Sequence, residues 1–239
     1  MQNKPIIITV VSLVVIAGVL LLAFFINQNS SLSPTSNNSI LENCKTLLYN
    51  GEGKTNIVIF AAKEQAEKYR DFFFTFSPFD KNKDAFNFYY IDDFSPVCKI
   101  YKGIALLCYN QNIIKKASSC PNDYIIVIKE ETSEIRSSSY MNVMSINSNH
   151  QLSVLNHEFG HAFANLAEEY VQDGIPRGSK NCQLSCDKFN IKDGCYQGCS
   201  KDSYFRSIDN GIMRTLNSNQ YGIFNEKIIQ DKINKNQNL

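Results

Sequence analysis

Residues 157–161 have the sequence HEFGH, which combines two histidines and a carboxylate at helical spacing. Because His157 and His161 are four residues apart, they lie on one face of a helix, one turn apart, where two imidazole nitrogens can bind one Zn²⁺. Glu158 then projects beside the metal, where it can take a proton from a zinc-activated water and pass it to the leaving amine of an amide. An accidental match on a surface helix is the alternative, but only three histidines occur in the chain. The spacing therefore predicts a hydrolytic zinc site.

A zinc site of this kind usually takes three ligands from the protein and leaves one position for water. The remaining histidine, His150, lies two turns before His157 and at a different axial level, which excludes a third histidine ligand. Glu168 and Glu169 follow soon after His161, and either carboxylate could reach the metal if the helix ended near residues 164–167 and the chain turned back. A solvated acidic pair at a helix end is the alternative interpretation.

The flanking segments predict an α/β fold in which a mixed twisted sheet is combined with a helix that carries HEFGH. Apolar residues recur at helical spacing over residues 152–166, and a second helical stretch is predicted near residues 64–76. A β-rich run at residues 140–146 precedes the HEFGH helix and is expected to be the edge strand beside a cleft, where it would hold extended substrate by β-pairing. Beyond residue 170 a Cys-rich and Gly-rich subdomain leads to an amphipathic segment near residues 225–233. Three further strands are predicted at residues 56–61, 86–91 and 124–128.

The N-terminal residues predict a membrane anchor. Residues 5–26 form an uncharged apolar run of about the length that crosses a bilayer as a helix. A cleaved signal peptide is the alternative, but its apolar region is typically only about 7 to 15 residues long. Lys4 precedes the run and no Lys or Arg follows it closely, so the positive-inside rule places the rest of the chain outside the cell. We expect a transmembrane anchor at residues 1–26, a flexible polar spacer at residues 27–40 and an extracellular domain at residues 41–239.

Eight cysteines agree with an oxidising exterior, where disulfides persist. Two pairs at i, i+4 spacing could lie on two short helical turns joined by the nested bridges Cys182–Cys199 and Cys186–Cys195. A structural zinc bound by these four thiolates is the alternative. The stapled loop is expected to form one wall of the cleft. The other four cysteines allow three pairings, and the sequence does not choose among them; they are Cys44, Cys98, Cys108 and Cys120.

The segment HEFGHAFANLAEEY, residues 157–170, resembles the zinc signature of the IgA-peptidase family of metallopeptidases, which ends in Leu-Ala-Asp-Glu-Tyr. The downstream GIMR, residues 211–214, is similar to the Ser-Ile-Met-Arg of the same family. The resemblance covers about residues 138–224 and implies a zincin-like α+β fold. It also implies that Met213 forms a methionine-containing turn beneath the zinc. Without the resemblance, Met213 could equally be an ordinary core methionine.

The same resemblance implies which acid completes the metal site. The Glu before Tyr170 matches the family pattern unchanged, so Glu169 is the preferred third ligand, and Glu168, which stands where the family has Asp, is the alternative. Two further positions depart from the pattern, since Ala164 replaces a usual Gly and Gly211 replaces Ser.

The residues and the resemblance together predict a membrane-anchored zinc metalloendopeptidase that acts on peptide or protein substrates. A non-catalytic surface binding module on a zincin scaffold is one alternative, and a zinc amidase that acts on cell-wall material is another. With 24 Lys and Arg against 23 Asp and Glu, the chain lacks the basic excess that would indicate a nucleic-acid partner.

Overall fold

The computed structural model describes residues 43–171, 174–189 and 194–237, which fold into a mixed α/β arrangement. The predicted anchor at residues 1–26 and spacer at residues 27–40 lie outside these residues. None of the helices in the described residues has the length and hydrophobicity of a membrane-spanning segment. The strands are β1 (Lys45–Leu48), β2 (Thr55–Phe60), β3 (Phe86–Ile91), β4 (Lys99–Tyr101), β5 (Ala105–Leu107), β6 (Tyr124–Lys129), β7 (Ser138–Tyr140), β8 (Val143–Asn147), β9 (Tyr196–Cys199) and β10 (Lys201–Arg206). The helices are α1 (Lys63–Phe73), α2 (Gln111–Ala117), α3 (Ser153–Ala164) and α4 (Ile223–Gln237).

The main sheet has six strands in the order β1-β3-β2-β6-β8-β7. The four inner strands are parallel, whereas β1 and β7 run antiparallel to their neighbours at the two edges. Parallel strands are covered on both faces and therefore need apolar side chains on both. Residues 86–91, FNFYYI, satisfy this requirement and are buried throughout. The three strands predicted from apolar runs are confirmed as β2, β3 and β6.

Two hydrophobic clusters cover the two faces of this sheet. The larger cluster joins Ile57 and Ile126 to Phe73 of α1, Phe159 of α3 and Ile229 of α4. The smaller cluster contains the alternate strand residues, such as Val58 and Val127, together with Ile113 of α2. Helix α3, which carries HEFGH, is thus fixed between the sheet and two other helices.

The edge strand differs from the prediction at residues 140–146. Most of that run forms β8, which lies inside the sheet between β6 and β7 and is fully buried. The edge is β7, and a two-residue turn at Met141 and Asn142 connects it to β8. The strands could not be separated from sequence because a hairpin with a two-residue turn gives one almost continuous β-rich run.

Four disulfides join the cysteines as Cys44–Cys120, Cys98–Cys108, Cys182–Cys199 and Cys186–Cys195. The two nested bridges predicted from the cysteine spacing are confirmed. The helical turns predicted to carry both pairs are not, because Cys199 ends strand β9 and only Cys186 begins a 3-10 turn, Cys186–Lys188. Strands β9 and β10 form a separate two-stranded sheet in this Cys-rich part.

Candidate metal centre

Helix α3 turns its aromatic side toward the sheet and its two histidines toward a cleft. Phe159 and Phe163 stack in the core with ring centroids 5.0 Å apart. On the other side, a Cβ added to Gly160 would lie 2.7 Å from the Sδ atom of Met213. Glycine at this position of HEFGH therefore lets a second segment of the chain pack directly against the helix beside the histidines.

That second segment is a turn that follows Gly211. The amides of Arg214 and Thr215 donate to the carbonyl of Gly211 at 2.9 and 3.0 Å, and Met213 in the middle of the turn is fully buried. The carbonyl of Ile212 accepts a hydrogen bond from His157. The structure thus places Met213 in a buried turn next to the histidine pair.

Both histidines are oriented through their Nδ1 atoms. Nδ1 of His157 lies 2.9 Å from the carbonyl oxygen of Ile212, and Nδ1 of His161 lies 2.6 Å from the carbonyl oxygen of Leu166. A carbonyl can only accept, so both Nδ1 atoms carry a proton and the Nε2 atoms of the neutral rings offer lone pairs. The two Nε2 atoms lie 3.1 Å apart. Backbone acceptors behind the rings are the usual means of presenting imidazole to a metal.

The third group at this point is Glu168. Its Oε1 lies 3.2 Å from Nε2 of His161, and its Oε2 lies 3.4 Å from Nε2 of His157. Ligand atoms of His157, His161 and Glu168 all lie within 4.8 Å of one another, so the three side chains could hold a metal ion. Oε2 of Glu168 is buried and faces Nε2 of His157, so it can accept from the protonated ring or bind a cation in its place.

The chain turns back after α3 at Asn165, which has φ 53° and ψ 38° in the left-handed region. Its amide donates to the carbonyl of His161 at 3.0 Å, and the amide of Leu166 donates to that of Gly160 at 3.1 Å. Asparagine is, after glycine, a residue that tolerates this conformation at a helix end. Asn165 therefore provides the turn for which the sequence offers no glycine, and it brings Glu168 back to the histidines.

Glu169, the acid preferred from the family resemblance, lies elsewhere. Its side chain is 0% exposed, and its Oε1 accepts hydrogen bonds from Asn225 at 2.7 Å and from Asn181 at 3.2 Å. Its amide donates to the carbonyl of Met213 at 2.8 Å. The two side chains therefore have different partners, with Glu168 beside the histidines and Glu169 among buried amides. The structure thus groups Glu168, the alternative candidate, with the two histidines and places Glu169 away from them.

The Cys-rich part of the chain forms hydrogen bonds with the backbone of Ala167 and Glu168. Asn181 accepts from the amide of Ala167 at 2.7 Å and donates to its carbonyl at 2.9 Å. The hydroxyl of Ser200 donates to the carbonyl of Glu168 at 2.7 Å. The disulfide Cys182–Cys199 lies between these two contacts in sequence. Among the described residues 179–189 and 194–200 none lines the cleft, and Asn181 and Ser200 instead contact the backbone of Ala167 and Glu168. The predicted role of the stapled loop as a cleft wall stays a prediction.

Glu158 lines the cleft together with His157, His161 and Glu168. The cleft encloses about 640 Å³, a size typical of ligand sites. The hydroxyl of Ser139, on edge strand β7, lies close to the Glu158 carboxylate and favours its charged form.

Burial and mutual charge set the protonation of this cluster. Burial raises the pKa of Glu158 against the opposing charges of the two histidines. Burial on its own would lower the pKa of His157, but the hydrogen bond and charge of Glu168 outweigh it and raise that pKa to about 9. Burial would likewise raise the pKa of Glu168, yet the hydrogen bonds of His157 and His161 hold it well below its usual range. Burial raises the pKa of Glu169 to about 7 despite its two amide donors.

The sequence placed His157, Glu158 and His161 in one site, and the structure brings them together with Glu168. The supporting residues were missed, namely Asn165, Asn181, Ser200 and Asn225. Of these, Asn165 had a sequence signal, because an Asn just after the last apolar residue of a helix is typical of a helix C-terminus. The other three act from segments distant in sequence, which no local pattern reveals.

No protein-family model matches the chain, and no curated protein matches its sequence. The resemblance to the IgA-peptidase family is therefore a hypothesis that rests on the two short motifs at residues 157–170 and 211–214.

Proposed function

We propose that the protein is a zinc metalloendopeptidase in which His157, His161 and Glu168 bind one Zn²⁺ and Glu158 is the general base. The observation that carries the proposal is the convergence of two Nε2 atoms and one carboxylate beside Glu158 in an open cleft. Ligands at zinc distances in a tetrahedron are about 3.3–3.6 Å apart. The two Nε2 atoms are 3.1 Å apart, and each lies 3.2 or 3.4 Å from a different oxygen of the Glu168 carboxylate, a spacing that supports the binding of one small cation. Two histidines and a glutamate form a ligand set typical of zinc hydrolases.

A zinc ion bound at these residues would supply a Lewis acid for the scissile carbonyl and would lower the pKa of a bound water to about 7. Glu158 would accept a proton from the attacking water and return it to the leaving amine, which avoids a covalent acyl-enzyme. Burial raises the pKa of Glu158, and a base with a raised pKa holds a proton more readily at neutral pH.

Edge strand β7 supports a role in binding an extended substrate. Tyr140 and Val143 are the pair next to the turn of the β7–β8 hairpin, and they are hydrogen-bonded to each other. Hydrogen-bonded and non-hydrogen-bonded pairs alternate along such a ladder, so the backbone N–H and C=O of the preceding residue, Ser139, point away from β8. Ser139 also lines the cleft that contains Glu158. A peptide paired with Ser139 would have its backbone alongside the metal group, as β-strand addition to a sheet edge requires.

The cellular location of the protein is a separate proposal from its activity. The apolar run at residues 5–26 and the four disulfides support an extracellular domain tethered to a membrane by its N-terminus. A membrane-sedimenting protein whose body is cleaved by external protease would agree with this location.

The function is tested by incubating the zinc-loaded full-length protein with an unfolded protein substrate. We expect new N-termini that mass spectrometry can identify, their loss on treatment with a chelator, and their return on addition of zinc. A zinc-loaded protein with native disulfides that cleaves no peptide bond in a broad library would overturn the proposal, and hydrolysis of wall polymer in its place would indicate an amidase.

A further inference from the structure

The cleft has a local excess of positive charge outside its metal group. The described residues that line the cleft include two arginines. They include no Asp or Glu apart from Glu158 and Glu168, which lie at the metal group with His157 and His161. The arginines are Arg136 and Arg214, and the remaining histidine, His150, lines the same cleft. The chain as a whole is almost neutral, at +1, so this excess does not follow from overall composition.

Arg214 lies in the turn beside Met213 and is half-buried. Its Nη1 donates to the carbonyl of Glu169 at 3.2 Å, which fixes one arm of the guanidinium. Its charge acts on the buried carboxylate of Glu169, but among the described residues no carboxylate forms an ion pair with it. A guanidinium has five donors, so most of its capacity is left for a group in the cleft.

Arg136 lies two residues before edge strand β7, lines the same cleft and is exposed. Its amide donates to the carbonyl of Ile104 at 2.8 Å, and its own carbonyl accepts from Leu106 at 2.8 Å. The disulfide Cys98–Cys108 closes the hairpin that makes these bonds. The charge of Arg136 reaches Tyr170 in the same cleft, and in the described part of the chain it has no ion-pair partner.

Two arginines without ion-pair partners in a cleft favour the binding of substrates that carry a carboxylate. Arg presents a planar fork that matches a carboxylate in two parallel hydrogen bonds, and such charge-assisted bonds are roughly twice as strong as neutral ones. Glu158 and Glu168 do not pair with either arginine, because Glu168 faces the two histidines and Glu158 lies beside them. Both arginines therefore remain available to a substrate carboxylate. A basic substrate side chain would meet like charge at both arginines, so the cleft would also reject it.

From these contacts we infer that the cleft accepts peptides with a carboxylate within a few residues of the scissile bond, bound by Arg214 or Arg136. The inference rests on the proposed peptidase function and adds its substrate class. The carboxylate could belong to an Asp or Glu side chain or to the C-terminus of the substrate, and both would use the same guanidinium donors.

The test uses a peptide set in which one position at a time, from three before to three after the cleaved bond, carries Asp, Asn or Lys. Each peptide is made with a free and with an amidated C-terminus. At one or more positions we expect kcat/KM for Asp to exceed that for Asn by about tenfold or more, with Lys lower still. If the advantage depends only on the free C-terminus, the substrate carboxylate is the terminal one.

Variants of the two arginines then locate the effect. Arg214→Gln or Arg136→Gln should remove the preference for Asp over Asn, and Arg214→Lys should keep part of it because the charge remains. Arg214→Glu or Arg136→Glu should make the Lys peptide the better substrate. Arg177→Gln, at an exposed arginine that does not line the cleft, is the matched control and should keep the wild-type preference.

Zinc content and far-UV circular dichroism show whether each variant is folded, and Arg136, which is exposed, keeps the test valid if Arg214 variants misfold. Cleavage with equal rates for Asp, Asn and Lys peptides and for both C-terminal forms would overturn the carboxylate inference and leave the peptidase proposal intact. No cleavage of any peptide by the zinc-loaded protein would overturn both.

Discussion

The hydroxyl of Ser200 donates a hydrogen bond of 2.7 Å to the backbone carbonyl of Glu168. Ser200 directly follows Cys199, which is bonded to Cys182. The Cys182–Cys199 disulfide is therefore adjacent in sequence to the residue that hydrogen-bonds the backbone of Glu168, the third candidate ligand. Contacts of this kind behind a metal ligand typically affect metal affinity by about 10–100-fold.

Removal of this disulfide should therefore affect both stability and metal binding. In the Cys182→Ser, Cys199→Ser double variant, we expect a loss of about 3 kcal/mol in the free energy of unfolding, the value for a loop of similar length. Zinc affinity should fall by about tenfold, because Ser200 and Glu168 lose their common support. Denaturant unfolding and competitive zinc titration measure the two effects.

The matched control is the Cys98→Ser, Cys108→Ser double variant, whose disulfide spans 10 residues and lies in the β4–β5 hairpin. It should lose stability without a change in zinc affinity. Equal zinc affinities for the two double variants would contradict the supporting role of the Cys-rich part.

The two adjacent acids should respond differently to loss of charge. Glu168→Gln removes a carboxylate that lies 3.2 Å from His161, so zinc affinity should fall by about 100-fold or more. Glu169→Gln keeps an oxygen that can accept from Asn181 and Asn225, so zinc affinity should change little. Zinc titration of both variants against a chelator of known affinity makes the comparison, and the reverse order would restore Glu169 as the ligand.

Much of the fold and the centre of the site could be predicted from local patterns. HEFGH identified two candidate ligands and the candidate base because all three positions lie on one helix, and periodicity alone defines a helix face. Strands β2, β3 and β6 were found because buried parallel strands are continuous apolar runs. The nested disulfides followed from cysteine spacing, which the chain geometry restricts strongly.

The acid that lies beside the histidines could not be predicted because the directions of the two Glu side chains are set by contacts distant in sequence. Glu168 and Glu169 are adjacent and chemically equivalent, and the buried amides of Asn181 and Asn225 decide which of them turns away from the histidines. The edge strand was misplaced for a related reason, since strand order in a sheet depends on pairing between segments and not on the composition of either one.

The pH dependence of zinc binding should reveal the raised pKa of His157. The carboxylate of Glu168 raises this pKa from 6.5 to about 9, so the chelator-treated protein carries the proton at pH 7. Zinc requires the neutral ring and must displace that proton. Zinc affinity should therefore rise with pH, by about tenfold per unit for one released proton, and level off above about pH 9.

Titration calorimetry in buffers of different ionisation enthalpy counts the protons released. About one proton per zinc from this ring is expected at pH 7. Zinc binding without proton release, or with an affinity that falls as pH rises from 6 to 9, would contradict the pairing of His157 with Glu168.

Glu158→Gln should separate metal binding from catalysis. The substitution removes the base but alters none of the three ligands, so zinc content should equal that of the wild type while kcat falls by orders of magnitude, about 10²–10⁴-fold. Metal analysis and peptide hydrolysis are measured on the same sample. A variant that loses zinc would show that Glu158 acts on the metal site and not on water.

Anomalous diffraction at the zinc absorption edge, from crystals grown with zinc, would locate the metal and identify its three protein ligands. We expect one strong peak in the cleft, bonded at about 2.0–2.2 Å to Nε2 of His157, Nε2 of His161 and the carboxylate of Glu168. A peak bonded to Glu169, or no peak at these histidines in a fully zinc-loaded crystal, would contradict this assignment.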